Sequence, residues 1–186
     1  MQLQTFIFGI VLLFTINGTP AQSTKLVSSD SPVNKIEMTN QVKAEYRHAW
    51  QGYKQFAWGY DALQPLSKKG HNWYPKSLLM TPVDALDGML IMGLKNEARE
   101  AKDIIFAQLR FDEDMDVQNF EISIRLLGGL LSAYELDGDK RFLSLATDLA
   151  DRLIKSFDSG IYVKSINFIQ RPGDERNVAD QYSCYQ

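Results

Sequence analysis

VQNFEISIRLLGGLLSAYELDGD, residues 117–139, is predicted to be a helix that is apolar on nearly every side. At about 3.6 residues per turn, Phe120, Ile122, Ile124, Leu126, Leu127, Leu130, Leu131, Ala133 and Tyr134 cover most of its circumference. One stripe differs: Glu121, Arg125, Gly128, Ser132 and Glu135 share a single face. A helix apolar almost all round belongs inside a protein. A carboxylate and a guanidinium on it are costly to bury unless they pair or face a wet cavity. Polar groups beside two glycines on such a helix point to a pocket wall.

Further helices are expected on both sides. Upstream, NEAREAKDIIFAQL (96–109), capped by Asn96, puts Ala98, Ala101, Ile105 and Leu109 on one face. Before it, Thr81-Pro82 has the chemistry of an N-cap followed by a first helical residue, and VDALDGMLIM then runs to Gly93. Downstream, Asp137-Gly138-Asp139 closes the central helix and opens KRFLSLATDLADRLIKSF (140–157), with Phe142, Ala146, Leu149 and Leu153 inward. The first helix is expected from Asn40 to about Trp58. Ala44, His48 or Ala49, and Phe56 recur there at near-helical spacing, with Tyr46, Trp50 and Tyr53 interleaved. Residues 60–80 read as a loop. No strand is expected between the helices, although residues 160–163 have the composition of a short hairpin.

Short turns between these helices imply antiparallel αα-hairpins. The second and fourth helices are almost wholly apolar, whereas the third and fifth are amphipathic. Two concentric layers would produce that alternation, so the expected fold class is all-α, an α/α toroid. Five helices make only part of such a ring. They would leave inner faces exposed, and poor solubility is expected.

The 186 residues suffice for one domain with a sizeable core, and 45% hydrophobic and 23% charged content is ordinary for a globular protein. A net charge of −3 without a basic run argues against a nucleic-acid partner. One cysteine, Cys184, excludes an internal disulfide, and two histidines, His48 and His71, argue against a multi-histidine metal site. TFIFGIVLLFTI (5–16) is too short for a bilayer span and precedes small residues near Ala21, as in a signal peptide. The missing basic n-region leaves an uncleaved membrane anchor as the competing reading. The expected organisation is a leader at 1–21, a linker at 22–39 and a helical domain from 40 to 186. The expected location is the export route: periplasm or extracellular space in a bacterium, ER or Golgi lumen in a eukaryote.

The segment NFEISIRLLGGLLSAYELDGD resembles the signature of glycoside hydrolase family 47, the class I α-mannosidases. AWGYDALQPLS (57–67), TPVDALDGMLIMGL (81–94) and ATDLADRLIKSFDSGI extend the resemblance to roughly residues 45–167. It implies an (α/α)7 barrel and inverting removal of α-1,2-linked mannose from high-mannose N-glycans, with a mannose-containing oligosaccharide or glycoprotein glycan as partner. By position, Glu121 matches the family's general acid and Arg125 an arginine of its sugar pocket, while Asp84 and Asp87 match the V-D-x-L-D motif lining the same cavity. The resemblance also implies calcium for the full family domain, but the calcium-contacting threonine and the base carboxylate have no counterpart here. Gly160-Ile161-Tyr162 lacks the proline of the family's G-I-P-Y element. The chain is therefore expected to be an N-terminal portion, whose alternative role is an inactive or lectin-like mannose-glycan binder.

Without the resemblance, the residues keep plainer readings. Glu121 and Arg125 form an i,i+4 pair that could simply fix packing. Asp84 stands where a capping box would reach back to Thr81, while Asp87 lies deeper in an apolar helix and needs a polar partner. Trp50, Trp58 and Trp73 are candidates for sugar stacking but are more readily explained as core. FDEDMD (111–116) lacks the glycine and terminal glutamate of a calcium loop and reads as a solvated turn.

Overall fold

The computed structural model describes residues 34–157 and 165–169. Five long helical elements dominate: α1 (Lys35–Ala57), α2 (Met80–Met92), α3 (Lys95–Gln108), a composite α4, and α5 (Lys140–Leu153). The composite α4 is one helical run of three segments: an α-turn at Asn119–Glu121, a π-helical stretch at Ile122–Leu127, and an α-helix at Gly128–Asp137. The expected all-α hairpin architecture is what forms. Two short antiparallel ladders accompany it, β1 (Ala62–Gln64) with β2 (Lys69–His71), and β3 (Asp116–Gln118) with β4 (Ser165–Asn167). Neither ladder was expected, because three-residue strands are too short to show a period. The candidate hairpin at residues 160–163 lies outside the described residues.

Glycine ends two helices where the sequence places it. Gly93 (φ 69°) and Gly138 (φ 78°) adopt the left-handed conformation, and the Gly138 N–H returns to the Tyr134 carbonyl at 2.8 Å. Asp139 then caps α5 by accepting from the Arg141 N–H. Two other caps differ from expectation. Asn96 is already inside α3, which starts at Lys95 after Leu94. Thr81 does not cap α2; its N–H and its hydroxyl both donate to the Asp61 carbonyl, 20 residues upstream, at 3.0 and 2.6 Å.

The helices pack in two layers. α2 and α4 lie side by side, so close that a Cβ on Gly129 would sit 2.8 Å from Val83 Cγ1. Behind them, Tyr46 of α1 donates its hydroxyl to the Ala85 carbonyl of α2 at 2.6 Å. Trp50 Nε1 donates to Glu100 of α3 at 3.0 Å, and Phe106 of α3 meets Phe142 of α5 with centroids 4.6 Å apart. α3 buries Ala98, Ala101 and Ile105, followed by Leu109 at its C-cap, while α5 buries Phe142, Ala146, Leu149 and Leu153, as expected.

α1 begins at Lys35, five residues before the expected start, and buries a different face. Trp50, Tyr53 and Ala57 are inside, whereas Ala44, His48 and Ala49 are exposed. The aromatic residues win the interior because each removes far more apolar area from water than an alanine. α4 is not enclosed all round either. Phe120, Ile124 and Leu131 are exposed, as is Ile91 of α2. The two most apolar helices thus turn one apolar side to solvent.

Candidate active site

The site is built on α2 and α4, the pair brought together at Gly129. Asp84 and Asp87 stand one turn apart on α2; Glu121, Arg125 and Ser132 stand on α4. Arg125 ties the two helices. Its Nε donates to Glu121 Oε2 at 2.7 Å and its Nη1 to Asp84 Oδ2 at 3.0 Å. Ser132 donates its hydroxyl to Asp87 Oδ2 at 3.2 Å. All four residues singled out from the sequence (Asp84, Asp87, Glu121 and Arg125) are therefore found along one α2–α4 seam.

The capping reading of Asp84 does not hold. The Thr81 N–H that a capping box would offer is taken by the Asp61 carbonyl, and the Asp84 carboxylate turns to Arg125 instead. Burial pushes the Asp84 carboxyl above its ordinary value of 3.8; the Arg125 bond only partly offsets this, and Asp87 and Glu121 push further up. Bonding to Glu121, then to Asp84, raises Arg125 in turn, so the guanidinium keeps its charge. These groups are part-open: the side chains of Glu121, Asp84 and Arg125 are 25%, 34% and 37% exposed. A wet, partly buried cluster of two acids and one cation results, with a third acid beside it.

The π-helical stretch lies between the acid and the rest of α4. Such stretches are commonly found at functional sites, because they re-aim side chains within an otherwise regular helix. At its entry Ser123 donates its hydroxyl to the Asn119 carbonyl at 2.7 Å, and Asn119 itself is fully buried.

A second group of residues holds the seam in place. Asp61 is completely buried and uses its carboxylate on the loop that leads into α2. Oδ1 accepts from the Ser77 hydroxyl (3.1 Å) and from the Leu78 and Met80 N–H groups (2.7 and 3.2 Å); Oδ2 accepts from the Trp73 N–H at 3.0 Å. Asp61 is thus the remote cap of α2, and its charge faces the positive end of that helix. Leu79, in the same loop, adopts a left-handed conformation (φ 54°, ψ 42°) that costs a bulky residue roughly 1–2 kcal/mol. The Asp61 bonds on either side of Leu79 offset that strain. Tyr74, one residue beyond Trp73, accepts the Gln118 N–H at 3.2 Å and so links the same loop to the start of α4.

The three tryptophans separate cleanly. Trp50 is core, with its N–H satisfied by Glu100, and Trp58 packs edge-on against it. Trp73 alone joins the site, its ring centroid 5.1 Å from Arg125 Cζ. His48 and His71 are both at the surface. FDEDMD is only partly a solvated turn: Phe111 and Met115 are buried, Asp116 opens β3, and Asp114 and Asp116 both accept from Asn167 Nδ2 at 3.0 Å. Asp61, Trp73 and Tyr74 gave no periodic signal, because they lie in a turn-rich loop whose partners are 12–44 residues away.

Acids and a guanidinium on two neighbouring hairpin helices, with an indole from the loop before α2 against them, sit in an α/α-barrel type of architecture. The chain belongs to glycosyl hydrolase family 47, whose sequence model matches residues 45–185. Among its relatives, the endoplasmic reticulum mannosyl-oligosaccharide 1,2-alpha-mannosidase of Rattus norvegicus is 47% identical over 126 residues, 68% of this chain and 19% of that protein. A mannosyl-oligosaccharide 1,2-alpha-mannosidase of Arabidopsis thaliana is 41% identical over 170 residues, 89% of this chain and 30% of that protein. The solved α-1,2-mannosidase from Trichoderma reesei superposes with a TM-score of 0.58 at 26% identity, covering 74% of this chain and 32% of that one. This chain therefore spans less than a third of the length of these relatives.

Proposed function

We propose that this chain carries the acid-bearing wall of an inverting α-1,2-mannosidase that removes terminal α-1,2-linked mannose from high-mannose N-glycans. The observation that carries the reading is the Glu121–Arg125–Asp84 bridge, which sets a part-exposed carboxylic residue against a guanidinium at the meeting of two helices. The rat and Arabidopsis relatives, both mannosyl-oligosaccharide 1,2-alpha-mannosidases, suggest the substrate class.

In this reading Glu121 is the general acid and donates its proton to the glycosidic oxygen as the bond to the anomeric carbon breaks. Inversion requires a second carboxylate to activate water on the opposite face of the sugar. Neither α2 aspartate is assigned that task, since Asp84 shares Arg125 with the acid and Asp87 accepts from Ser132. We place the base in the part of the family domain that this chain does not span. Arg125, Asp84 and Asp87 bind sugar hydroxyls. The Arg125 Nε–H engages only Oε2, so the proton that goes to the glycosidic oxygen is carried on Oε1.

The family relationship implies a calcium ion, and the described residues do not fit one. Among them no three His, Cys, Asp or Glu side chains converge as a cation site, and the acid cluster already holds a guanidinium. No step is routed through the ion. We also propose the secretory route, with residues 1–21 as signal peptide or anchor and residues 22–39 as linker, the last five of which α1 takes up. Among the described residues no helix is long and apolar enough to cross a membrane.

The test is Glu121→Gln in the natural polypeptide that contains this chain, assayed on α-1,2-mannobiose-capped N-glycans. Loss of a general acid is expected to lower kcat by about 10²–10⁴-fold while glycan binding persists. An unchanged kcat overturns the assignment. Binding by the parent protein with no hydrolysis at all leaves the lectin-like reading in its place.

A further inference from the structure

We propose that Trp73 is the sugar-stacking platform of this site and acts together with the uncommitted N–H groups of Arg125. The identity of the sugar as mannose rests on the mannosidase reading; the platform itself rests on geometry.

Three observations carry it. The first is position: Trp58 and Trp73 are each 40% exposed, but Trp58 packs on Trp50 and Tyr53, whereas Trp73 lies against the charged cluster. The second is the state of Arg125. Its Nε and Nη1 each hold one carboxylate, and Nη2 makes no hydrogen bond within the described residues. The Arg125 guanidinium lies over one face of the indole, 5.1 Å from its centroid, so its donors sit at the ring and the ring's remaining exposed surface is what a ligand can use. A pyranose has the matching chemistry, an apolar C–H face edged by hydroxyls. Sites that pair an apolar wall with a few aimed polar groups are the general form of small-molecule recognition.

The third is the support beneath the ring. The Trp73 backbone N–H donates to the fully buried Asp61 and so fixes the main chain that carries the ring, the Asp61 N–H donates to Asn72 Oδ1 at 3.1 Å, and the neighbouring Tyr74 is bonded to the start of α4. A platform fixed before the ligand arrives spares the ordering cost of binding. An exposed indole on a loose loop would have no such support.

The experiment uses the natural polypeptide and α-1,2-mannobiose as probe, read by tryptophan emission and by hydrolysis. Trp73→Ala is expected to raise KM and the mannobiose Kd roughly tenfold, equivalent to about 1.4 kcal/mol, with a smaller change in kcat. Trp73→Phe keeps an aromatic face for both the sugar and Arg125, so most of the affinity survives, but the mannobiose-induced change in emission disappears. An emission change that persists in Trp73→Phe, or a KM unmoved in Trp73→Ala, overturns the platform while leaving the mannosidase reading intact. A parent protein that binds mannobiose with a Trp73-dependent emission change but does not hydrolyse it keeps the platform and removes the mannosidase. If it neither binds nor hydrolyses mannobiose, both are lost.

Discussion

Asp61 and the Asp84–Glu121 pair set the same functional group in two opposite situations. Asp61 is wholly buried, and its two oxygens take four protein donors, three of them backbone N–H groups around the start of α2. Asp84 and Glu121 are a third and a quarter exposed and divide one guanidinium between them. The saturated carboxylate has no capacity left for a ligand and acts on structure. The open pair retains lone pairs and solvent access, which chemistry on a substrate requires. Burial alone therefore does not mark the functional acid; unspent hydrogen-bonding capacity does.

The largest effect that tests this contrast is on folding. Asp61→Ala leaves the buried Leu78 and Met80 N–H groups, the part-buried Trp73 N–H and the Ser77 hydroxyl without their acceptor and releases the strained Leu79 turn. A loss of about 3–5 kcal/mol is expected in urea unfolding, a large part of an ordinary domain's stability. A loss below about 1 kcal/mol would show that water replaces the carboxylate and that Asp61 is no anchor.

A smaller effect comes from shape-preserving changes. Asp61→Asn keeps one acceptor oxygen but turns an NH₂ group toward either the Trp73 N–H or the α2 donors, at an expected cost of about 1–3 kcal/mol. Glu121→Gln, in the open pair, is expected to cost less than about 1 kcal/mol, because a part-exposed ion pair contributes little. Equal losses in the two variants, measured side by side by urea unfolding, would erase the distinction between anchor and site.

How far the sequence reached follows the same division. The helices, the turns at Gly93 and Gly138, the Asp139 cap and the inward faces of α3 and α5 were legible, because each depends on residues within one or two turns of each other. The Glu121–Arg125 stripe of the α2–α4 seam was legible on its helical face, whereas placing Asp84 and Asp87 beside it came from the family resemblance. The Asp61 anchor was not, since its partners are 12–19 residues away in a loop without a period. That same anchor is why Thr81 and Asp84 were misread: a local capping box is a sound expectation until a distant group supplies the cap. α1 misled differently, since alanine spacing suggested one face and the larger aromatic residues claimed another. The π-helical stretch was invisible, because projecting α4 assumes the regular turn it interrupts.

The finest test lies within the open pair. Asp84 is held above its ordinary 3.8, mainly by burial. As pH rises, the unfolded chain gives up this proton first and the folded chain only later, so across that interval the folded state binds more protons. Stability then falls as pH climbs from the unfolded value through the folded one, and the penalty remains at neutral pH. Asp84→Asn removes the titration. It is expected to flatten the pH dependence of Tm above about pH 4 and to raise Tm at pH 7 by roughly 1–2 °C, small because the group is a third exposed. Hydrolysis, on the proposed reading, should fall in the same variant. A site residue that costs stability and supplies function is the usual trade-off at such positions. A lower Tm at pH 7 would instead mean that the Arg125 bond to Asp84 outweighs its burial. Asp84 would then belong with Asp61 among the carboxylates that hold the fold.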